Sequence, residues 1–507
     1  MYKVGLYTLG CKVSLYETEA VAESFAERGF EVCDFNSVCD VYVINTCTVT
    51  AESDAKSRKY IRRAIRKNPS AVVIVMGCYS QRDPCAVAKI DGVSAVIGTQ
   101  DKMKCVEIAE ELLNSKFEIR NSKWSSSSNG VASNLDPNST SLEGQGRGEH
   151  CSSESHPHPP QAVPLPLSWG RLCMGEHCSS GRPEKLISNS EFRIPNFVTP
   201  LEGATFEPMC VKNAPRTRAY VKIEDGCECR CTYCAISGAR GPVRSKRPED
   251  VIAEVEGLYS RGTLEVVLTG IETGSYGADF VEKYDLADLM CELDRRQSCA
   301  RVRLGSMAPE LMKADFVDRI CDLKITVPHF HISMQSGADN VLRGMKRRYN
   351  REMALRNIRH IREVMPRVML TADLMVGFPG ESEEDFLDTM RFVSEARLLD
   401  AHVFAYSKRA GTPAAEYDGQ IDERVKAERS ARLIAECRRV QSDLLDSVVA
   451  FGEPLSVIFE TGRGREYLGH SDSYIEVVAE SDRDVKGMLL SVIPLRHENG
   501  KIYGKIV

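Results

Sequence analysis

The chain has 507 residues, 42% hydrophobic and 27% charged, with a formal net charge of −6. That length leaves room for about three domains, and the composition excludes a wholly disordered polypeptide. The balance of charge excludes a globally basic nucleic-acid binder, and no apolar run approaches the roughly 20 residues that cross a bilayer.

The start, MYKVGLYTLGC, reads as a strand and not as a secretory signal, so a cytoplasmic protein without membrane attachment is expected. Residues 1–115 alternate: strands over 2–9, 41–45 and 71–76, helices over 16–28, 51–67 and 81–89. This predicts an N-terminal open parallel α/β sheet. Residues 116–215 break the rhythm. Ser, Gly and Pro supply 28 of the 65 residues from 121 to 185, and GEHCSS occurs twice, from Gly148 and from Gly175. Such a segment cannot bury enough apolar surface to offset its ordering entropy, so 116–215 is expected to be a low-complexity insertion or linker. Its Cys151, Cys173 and Cys178, with four histidines, fit no zinc spacing.

The rhythm resumes over 216–447. Strands are expected over 219–223, 264–269, 301–306, 329–333, 369–375 and 401–406, with helices such as 248–260, 350–364 and 382–396 between them. Six βα units predict a partial (β/α)6 barrel, whose chemistry sits at the C-terminal strand ends. The stretch Gly377–Glu381, GFPGE, lacks the lysine of a phosphate loop and reads as a tight βα turn. A charged helix over 422–445 leads into 448–507, where five short strands predict a small OB-like β-barrel.

Nineteen cysteines are many for a chain of this kind, and the odd count does not suggest a disulfide scaffold. Two groups stand out. Cys227, Cys231 and Cys234, spaced C-x3-C-x2-C, follow the first strand of the second α/β block. Three thiolates at that spacing can hold three irons of a [4Fe–4S] cube and leave the fourth open. A structural zinc site would want four ligands, usually as two pairs. Cys229 lies off the pattern and reads as a bystander. The second group is positional: Cys11, Cys47 and Cys78 each lie just past the end of one of the first three expected strands. In a parallel sheet those ends share one edge, where ligands bind. Three unrelated buried thiols would be the plain alternative; a second cluster with an open iron accounts for all three positions together.

The C-x3-C-x2-C loop, with Tyr233 before its last cysteine, resembles the radical-SAM enzymes, which bind S-adenosylmethionine at the open iron. The two triads in this order resemble the methylthiotransferase family within that superfamily. GCKVSLYETE from Gly10, INTCTVT from Ile44, PHFHISMQSG from Pro328, MKRRY from Met345, LMVGFPGE from Leu374 and YSKRAGTPAA from Tyr406 resemble the branch that modifies N6-threonylcarbamoyladenosine in tRNA. Ser14 stands where that family usually has Asn, and Ala235–Gly238 where it usually has Ile-Pro-Tyr. The resemblance implies two [4Fe–4S] clusters, S-adenosylmethionine as cofactor with Tyr233 beside it, a reducing electron donor, and a C-terminal RNA-binding barrel of TRAM type. It implies methylthiolation of adenosine 37, next to the anticodon, and names no sulfur source. Isopentenyladenosine tRNA and a ribosomal-protein aspartate are alternative substrates within the same family, and a zinc-containing RNA-binding protein is the alternative outside it.

Local positive charge is expected where RNA binds. Lys56, Arg58, Lys59, Arg62, Arg63, Arg66 and Lys67 share one helix, of which Arg62, Arg63 and Arg66 are the candidate RNA contacts. A solvated surface face is the plain alternative. Arg343, Lys346, Arg347 and Arg348 form a second basic cluster. The C-terminal segment 448–507 carries 7 Lys and Arg against 9 Asp and Glu, so it offers shape or stacking contacts and not a strong electrostatic grip.

Overall fold

A computed structural model describes residues 1–115 and 194–507. The insertion expected over 116–215 lies outside the described residues up to 193.

The N-terminal block is a six-stranded sheet: β1 (Lys3–Thr8), β2 (Glu31–Cys33), β3 (Val41–Thr46), β4 (Val72–Gly77), β5 (Ala95–Ile97) and β6 (Asn196–Phe197). Its order is β2-β1-β3-β4-β5-β6, with every neighbouring pair parallel. Every residue of β3 and β4 is buried, because helices cover both faces. On one face Val4, Val43 and Ile74 pack with Val21 and Phe25 of helix Lys12–Glu27. On the other, Ile44 and Val73 pack with Ile61 and Ala64 of helix Ala51–Lys67. The order reverses between β1 and β3, which puts a ligand crevice at their carboxyl ends.

The second block is built on β7 (Arg218–Lys222), a short ribbon of β8 (Glu224–Asp225) with β9 (Arg244–Ser245), then β10 (Glu265–Thr269), β11 (Arg301–Leu304), β12 (Ser306–Met307), β13 (His329–Gln335), β14 (Met369–Val376) and β15 (Asp400–Ala405). β7, β10 and β11 form one parallel sheet, and β12 to β15 another. Only Gly305 separates β11 from β12, so the two sheets make one arc of six parallel strand positions, the partial barrel expected. Helix Glu423–Phe451 packs along β15 and ends at Gly452, whose left-handed φ of 66° terminates it. Beyond it β16 (Leu455–Arg463), β17 (Glu466–Ser471), β18 (Glu476–Glu480), β19 (Leu489–Glu498) and β20 (Lys501–Ile506) close a five-stranded barrel. Its apolar interior runs into that of the second block without a break: Val457, Phe459 and Ile475 belong to the same core as Leu370 and Leu433.

Three sequence expectations are corrected. The first helix begins at Lys12 and not at residue 16, since Val13 and Tyr16 already face the core. The helix expected over 81–89 is two short ones, Cys78–Arg82 and Pro84–Ala88, because Pro84 cannot continue a helix but starts one, capped here by Asp83. Residues 194–215, placed in the linker by composition, are part of the fold. β6 extends the first sheet, Tyr16 Oη donates to Met209 O at 2.8 Å, and Val211 N donates to Glu254 Oε1 at 2.7 Å. The apolar Leu201, Met209 and Val211 drive this, and the Ser-rich stretch before them masked their signal. Among the described residues no helix is long and apolar enough to cross a membrane.

Candidate active site

Cys47 and Cys78 follow β3 and β4 directly and Cys11 lies three residues past β1, at the crevice where the sheet order reverses. Cys47 and Cys78 are 7% and 5% exposed, while Cys11 is open to solvent. The first loop passes closely over the second cysteine. A Cβ on Gly10 would lie 3.1 Å from Ser14 Oγ and 3.2 Å from Cys47 Cβ, and its φ of 119° is a conformation that favours glycine. Ser14 Oγ lies 3.8 Å from Cys11 Sγ, and Val49 N–H points at Cys47 Sγ at 3.5 Å. The three sulfurs feel one another electrostatically. Burial pushes the Cys78 thiol up to about 11; Arg240, whose Nε donates to Cys78 Sγ at 3.1 Å, opposes it.

Cys227, Cys231 and Cys234 lie on the loop between β8 and helix Ile236–Arg240. Gly226 enters it at φ 102°, and a Cβ there would stand 1.9 Å from Pro242 O, so no other residue fits the turn. The loop is tied down at Cys227 N to Gly241 O, 3.0 Å, and at Thr232 Oγ1 to Gly344 O, 2.8 Å. Arg347 Nη1 donates to Cys231 Sγ at 3.2 Å, and Ile236 N–H to Cys234 Sγ at 3.3 Å. Tyr233 packs beside Phe378 and Tyr406. Cys229, read as a bystander, is half-buried in the same loop and raises the Cys227 thiol.

A buried ion network joins the two triads. Glu17, fully buried, accepts from Lys102 Nζ at 3.1 Å, Lys222 Nζ at 3.0 Å and Arg240 Nη1 at 2.5 Å. Asp225, two residues before Cys227, accepts from Lys222 Nζ at 2.6 Å and Arg240 Nη1 at 3.1 Å. Burial raises both carboxyls, but Arg240 and the two lysines outweigh it and hold Glu17 well below the usual range and Asp225 down to about 2. With Arg244 Nη2 3.5 Å from Asp225, two carboxylates thus face four buried cations, and one of these, Arg240, rests on Cys78 sulfur. A buried surplus of positive charge is costly unless an anion completes it. Three thiolates around an iron–sulfur cube are such an anion, so the donor set fits. Among the described residues no three Cys, His, Asp or Glu side chains converge on a single metal ion. A cube spreads its thiolates over three separate irons and needs no such convergence.

The Radical SAM superfamily model matches residues 221–393, and that of Uncharacterized protein family UPF0004 matches residues 3–98. The threonylcarbamoyladenosine tRNA methylthiotransferase MtaB of Bacillus subtilis is 35% identical over 97% of this chain and 93% of its own. The enzyme of that name from Aquifex aeolicus is 30% identical over 97% of this chain and all of its own. The chain belongs to this radical-SAM methylthiotransferase family. Among solved structures, the radical S-adenosylmethionine methyltransferase TsrM from Kitasatospora setae shares the fold, with a TM-score of 0.51 and 15% identity over 82% of this chain and 77% of its own.

The methylthiotransferase motifs land on the junctions of this site. YSKRAGTPAA crosses from one block to the other: Arg409 Nη2 donates to Thr48 Oγ1 at 2.6 Å and Asp54 Oδ2 at 2.7 Å, and Ala414 N donates to Thr232 O at 2.9 Å. MKRRY supplies Arg347, which is turned onto Cys231 and not to solvent, so it leaves the second basic cluster; Arg343, Lys346 and Arg348 remain exposed. In GFPGE the Glu381 carboxylate accepts Gly377 N at 2.7 Å and Arg429 Nη1 at 2.6 Å, a structural turn as expected. Helix Ala51–Lys67 buries Ser57, Ile61 and Ala64 and exposes Arg62, Arg63 and Arg66. Sequence reasoning missed Lys102 and Lys222 and quoted Glu17 and Arg240 only within motifs, without assigning either a role.

Proposed function

We propose that this chain converts N6-threonylcarbamoyladenosine at position 37 of tRNA into its 2-methylthio derivative. The observation that carries the reading is the meeting of two cysteine triads across one buried ion network at the carboxyl ends of two parallel sheets. Cys227, Cys231 and Cys234 would hold one [4Fe–4S] cluster with S-adenosylmethionine beside Tyr233, and Cys11, Cys47 and Cys78 a second. A reduced electron donor is required. Together these groups supply radical chemistry for C2 of adenine, a position with neither an acidic proton nor a leaving group. The chain's own contribution is positioning: Arg409 and Thr232 fix the two loops relative to each other, and the glycines at 10 and 226 let backbone approach closely.

Target bases of RNA are read when splayed from a loop, so the anticodon loop must open its adenosine toward the barrel mouth. Exposed Arg62, Arg63 and Arg66 would then neutralise neighbouring phosphates. The test is anaerobic reconstitution followed by incubation with reductant, S-adenosylmethionine and tRNA, read by nucleoside mass spectrometry. Threonylcarbamoyl-tRNA should gain methylthio, and tRNA lacking that group should not. About eight irons are expected per chain, falling to about four when either triad is changed to alanine. Equal conversion of isopentenyladenosine tRNA, modification of a ribosomal protein alone, or retention of both clusters in either triple variant would overturn the assignment.

A further inference from the structure

The second basic cluster lies against the loop that carries Cys227, Cys231 and Cys234. Thr232 N donates to Met345 O at 3.1 Å and Thr232 Oγ1 to Gly344 O at 2.8 Å, so the turn over 343–348 packs directly on that loop. Arg343, Lys346 and Arg348 are exposed on the turn, and Arg230 is exposed on the loop itself, between Cys229 and Cys231. Among the described residues none of the four makes an ion pair. Arg343 reaches Asn340 Oδ1 at 3.0 Å, and Arg348 reaches the Glu228 carbonyl at 3.4 Å. Arginines elsewhere on this block are matched: Arg351 with Glu395 and Arg391 with Glu384, both at 2.6 Å. The four cations share their surface with one exposed acid of the loop, Glu228.

A groove of about 570 Å³ adjoins them, lined by Cys229, Arg348, Phe280, Tyr284 and Leu311. Asp285, also in its wall, is paired with Arg319 at 2.9 Å. Val281 in the same groove is fully exposed. An RNA backbone offers such a valine nothing to pack on, whereas an apolar centre within a charged rim is the make-up of a protein interface. Beneath this surface Arg347, between the exposed Lys346 and Arg348, turns inward and donates Nη1 to Cys231 Sγ at 3.2 Å. The outer face of the turn is thus one side chain away from a candidate cluster cysteine.

We infer that this surface docks the electron donor, a small acidic redox protein, against the cluster of Cys227, Cys231 and Cys234. The inference rests on the proposed reading of that triad. One electron leaves the donor and enters the cluster; the donor is oxidised by one, the cluster is reduced by one, and no bond forms or breaks. Such a transfer demands close approach, and here the donor comes to rest on the cysteine loop itself. Unpaired cations steer an acidic partner into the encounter, and a small patch suits a donor that must leave after each electron. A tRNA backbone is the other anion these cations could take, and the exposed valine beside them favours the protein.

The test uses full-length reconstituted enzyme and two reductants: a hydroquinone flavodoxin, small and acidic, and photoreduced deazariboflavin, smaller still and neutral. Cluster reduction is followed by stopped-flow absorbance. Binding of oxidised flavodoxin and of tRNA is read by fluorescence anisotropy, with iron measured in every sample. Arg343→Glu, Lys346→Glu and Arg348→Glu together should slow reduction by flavodoxin about a hundredfold at low salt, and the same three changed to Gln about tenfold, both gaps closing as salt rises. Affinity for flavodoxin should fall alongside, and Val281→Ser should weaken it equally at every salt. Reduction by deazariboflavin, iron content and tRNA binding should match the parent throughout. The Gln set decides should the Glu set lose iron, and loss of iron from both would make these residues structural and overturn the inference. Unchanged reduction by flavodoxin in both sets would overturn it, as would a parent that deazariboflavin reduces but flavodoxin neither binds nor reduces. Loss of tRNA binding with flavodoxin reduction intact would overturn it too and give the patch to RNA. A parent that leaves S-adenosylmethionine intact once deazariboflavin has reduced it would instead overturn the reading of the triad.

Discussion

Arg240 bears more of this site than any other single side chain. Its guanidinium spans Glu17, Asp225 and Cys78 with no exposure to solvent. Removing one partner of a buried charge network costs about 3–5 kcal/mol, because the remaining charges stay buried. Arg240→Met should therefore lower the melting temperature by several degrees and strip iron from the Cys11 triad first. Arg240→Lys keeps the charge without the planar fork and should lose less of both. Iron analysis of each variant in a background lacking the Cys227 triad checks the order; iron retained in full by Arg240→Met would show the contact to be idle. This network was illegible in the sequence for a plain reason. Glu17 finds its partners 85, 205 and 223 positions away, so nothing local separates it from a surface acid on the same helix. Glu19, two residues on, behaves oppositely. Burial and nearby Glu23 raise its carboxyl to about 7, only partly opposed by Arg216 at 3.8 Å. A carboxyl raised in the folded state is neutral to stability below its unfolded value of 4.5, penalises folding as pH rises from there, and reaches its full penalty above the folded value of about 7. Glu19→Gln should thus be near neutral at pH 4 and stabilising by about 2 kcal/mol at pH 8, seen as a widening difference in melting temperature across that range.

The elements that sequence made legible are those whose signal is local. β4 is an unbroken apolar run, β3 opens with one over 41–44, and helix Ala51–Lys67 carries a capping Thr50 and a clear apolar stripe. The triads were visible because cysteine is informative at a strand end. The two- and three-residue strands β2, β5 and β6 have too few residues for any period to show. The basic helix yields a prediction through its exposed face. Arg62→Glu with Arg63→Glu should weaken tRNA binding across all sequences and reduce the slope of log affinity against log salt by about 2. Unchanged binding would mark the face as ordinary surface. The turn between β17 and β18 yields another. Tyr474 sits there at φ 71° and stacks on His329 at 4.5 Å, with the Arg303 guanidinium 5.1 Å from its ring. The ring thus caps the amino-terminal end of the lumen from the small barrel. Tyr474→Asn tolerates the left-handed backbone but deletes the ring, so it isolates the stacking. We expect a loss of about 2 kcal/mol and faster proteolysis near Gly452. Unchanged proteolysis would mean that the shared apolar core alone holds the barrel.

The described residues form one compact unit of three architectures, because their cores and ion network cross every boundary that composition would draw among them. The small barrel shares its core with the second block, and the strap over 194–215 pins the first block to helix Pro248–Ser260 through Glu254. The stretch 122–185 differs in kind, on composition alone. Helix 105–115 before it and β6 after it both belong to the N-terminal sheet block, so the two ends of the connection are held by the same scaffold. Loop-closure entropy grows only with the logarithm of loop length, so cutting 122–185 and bridging with a short Gly/Ser linker should gain about 1–2 kcal/mol and not cost any. The truncated enzyme should melt at or slightly above the parent, hold about eight irons after reconstitution and convert the same tRNA. Loss of iron on truncation would mean that Cys151, Cys173 or Cys178 serves as a ligand. Loss of conversion with iron intact would instead place part of the RNA-binding surface within the deleted residues.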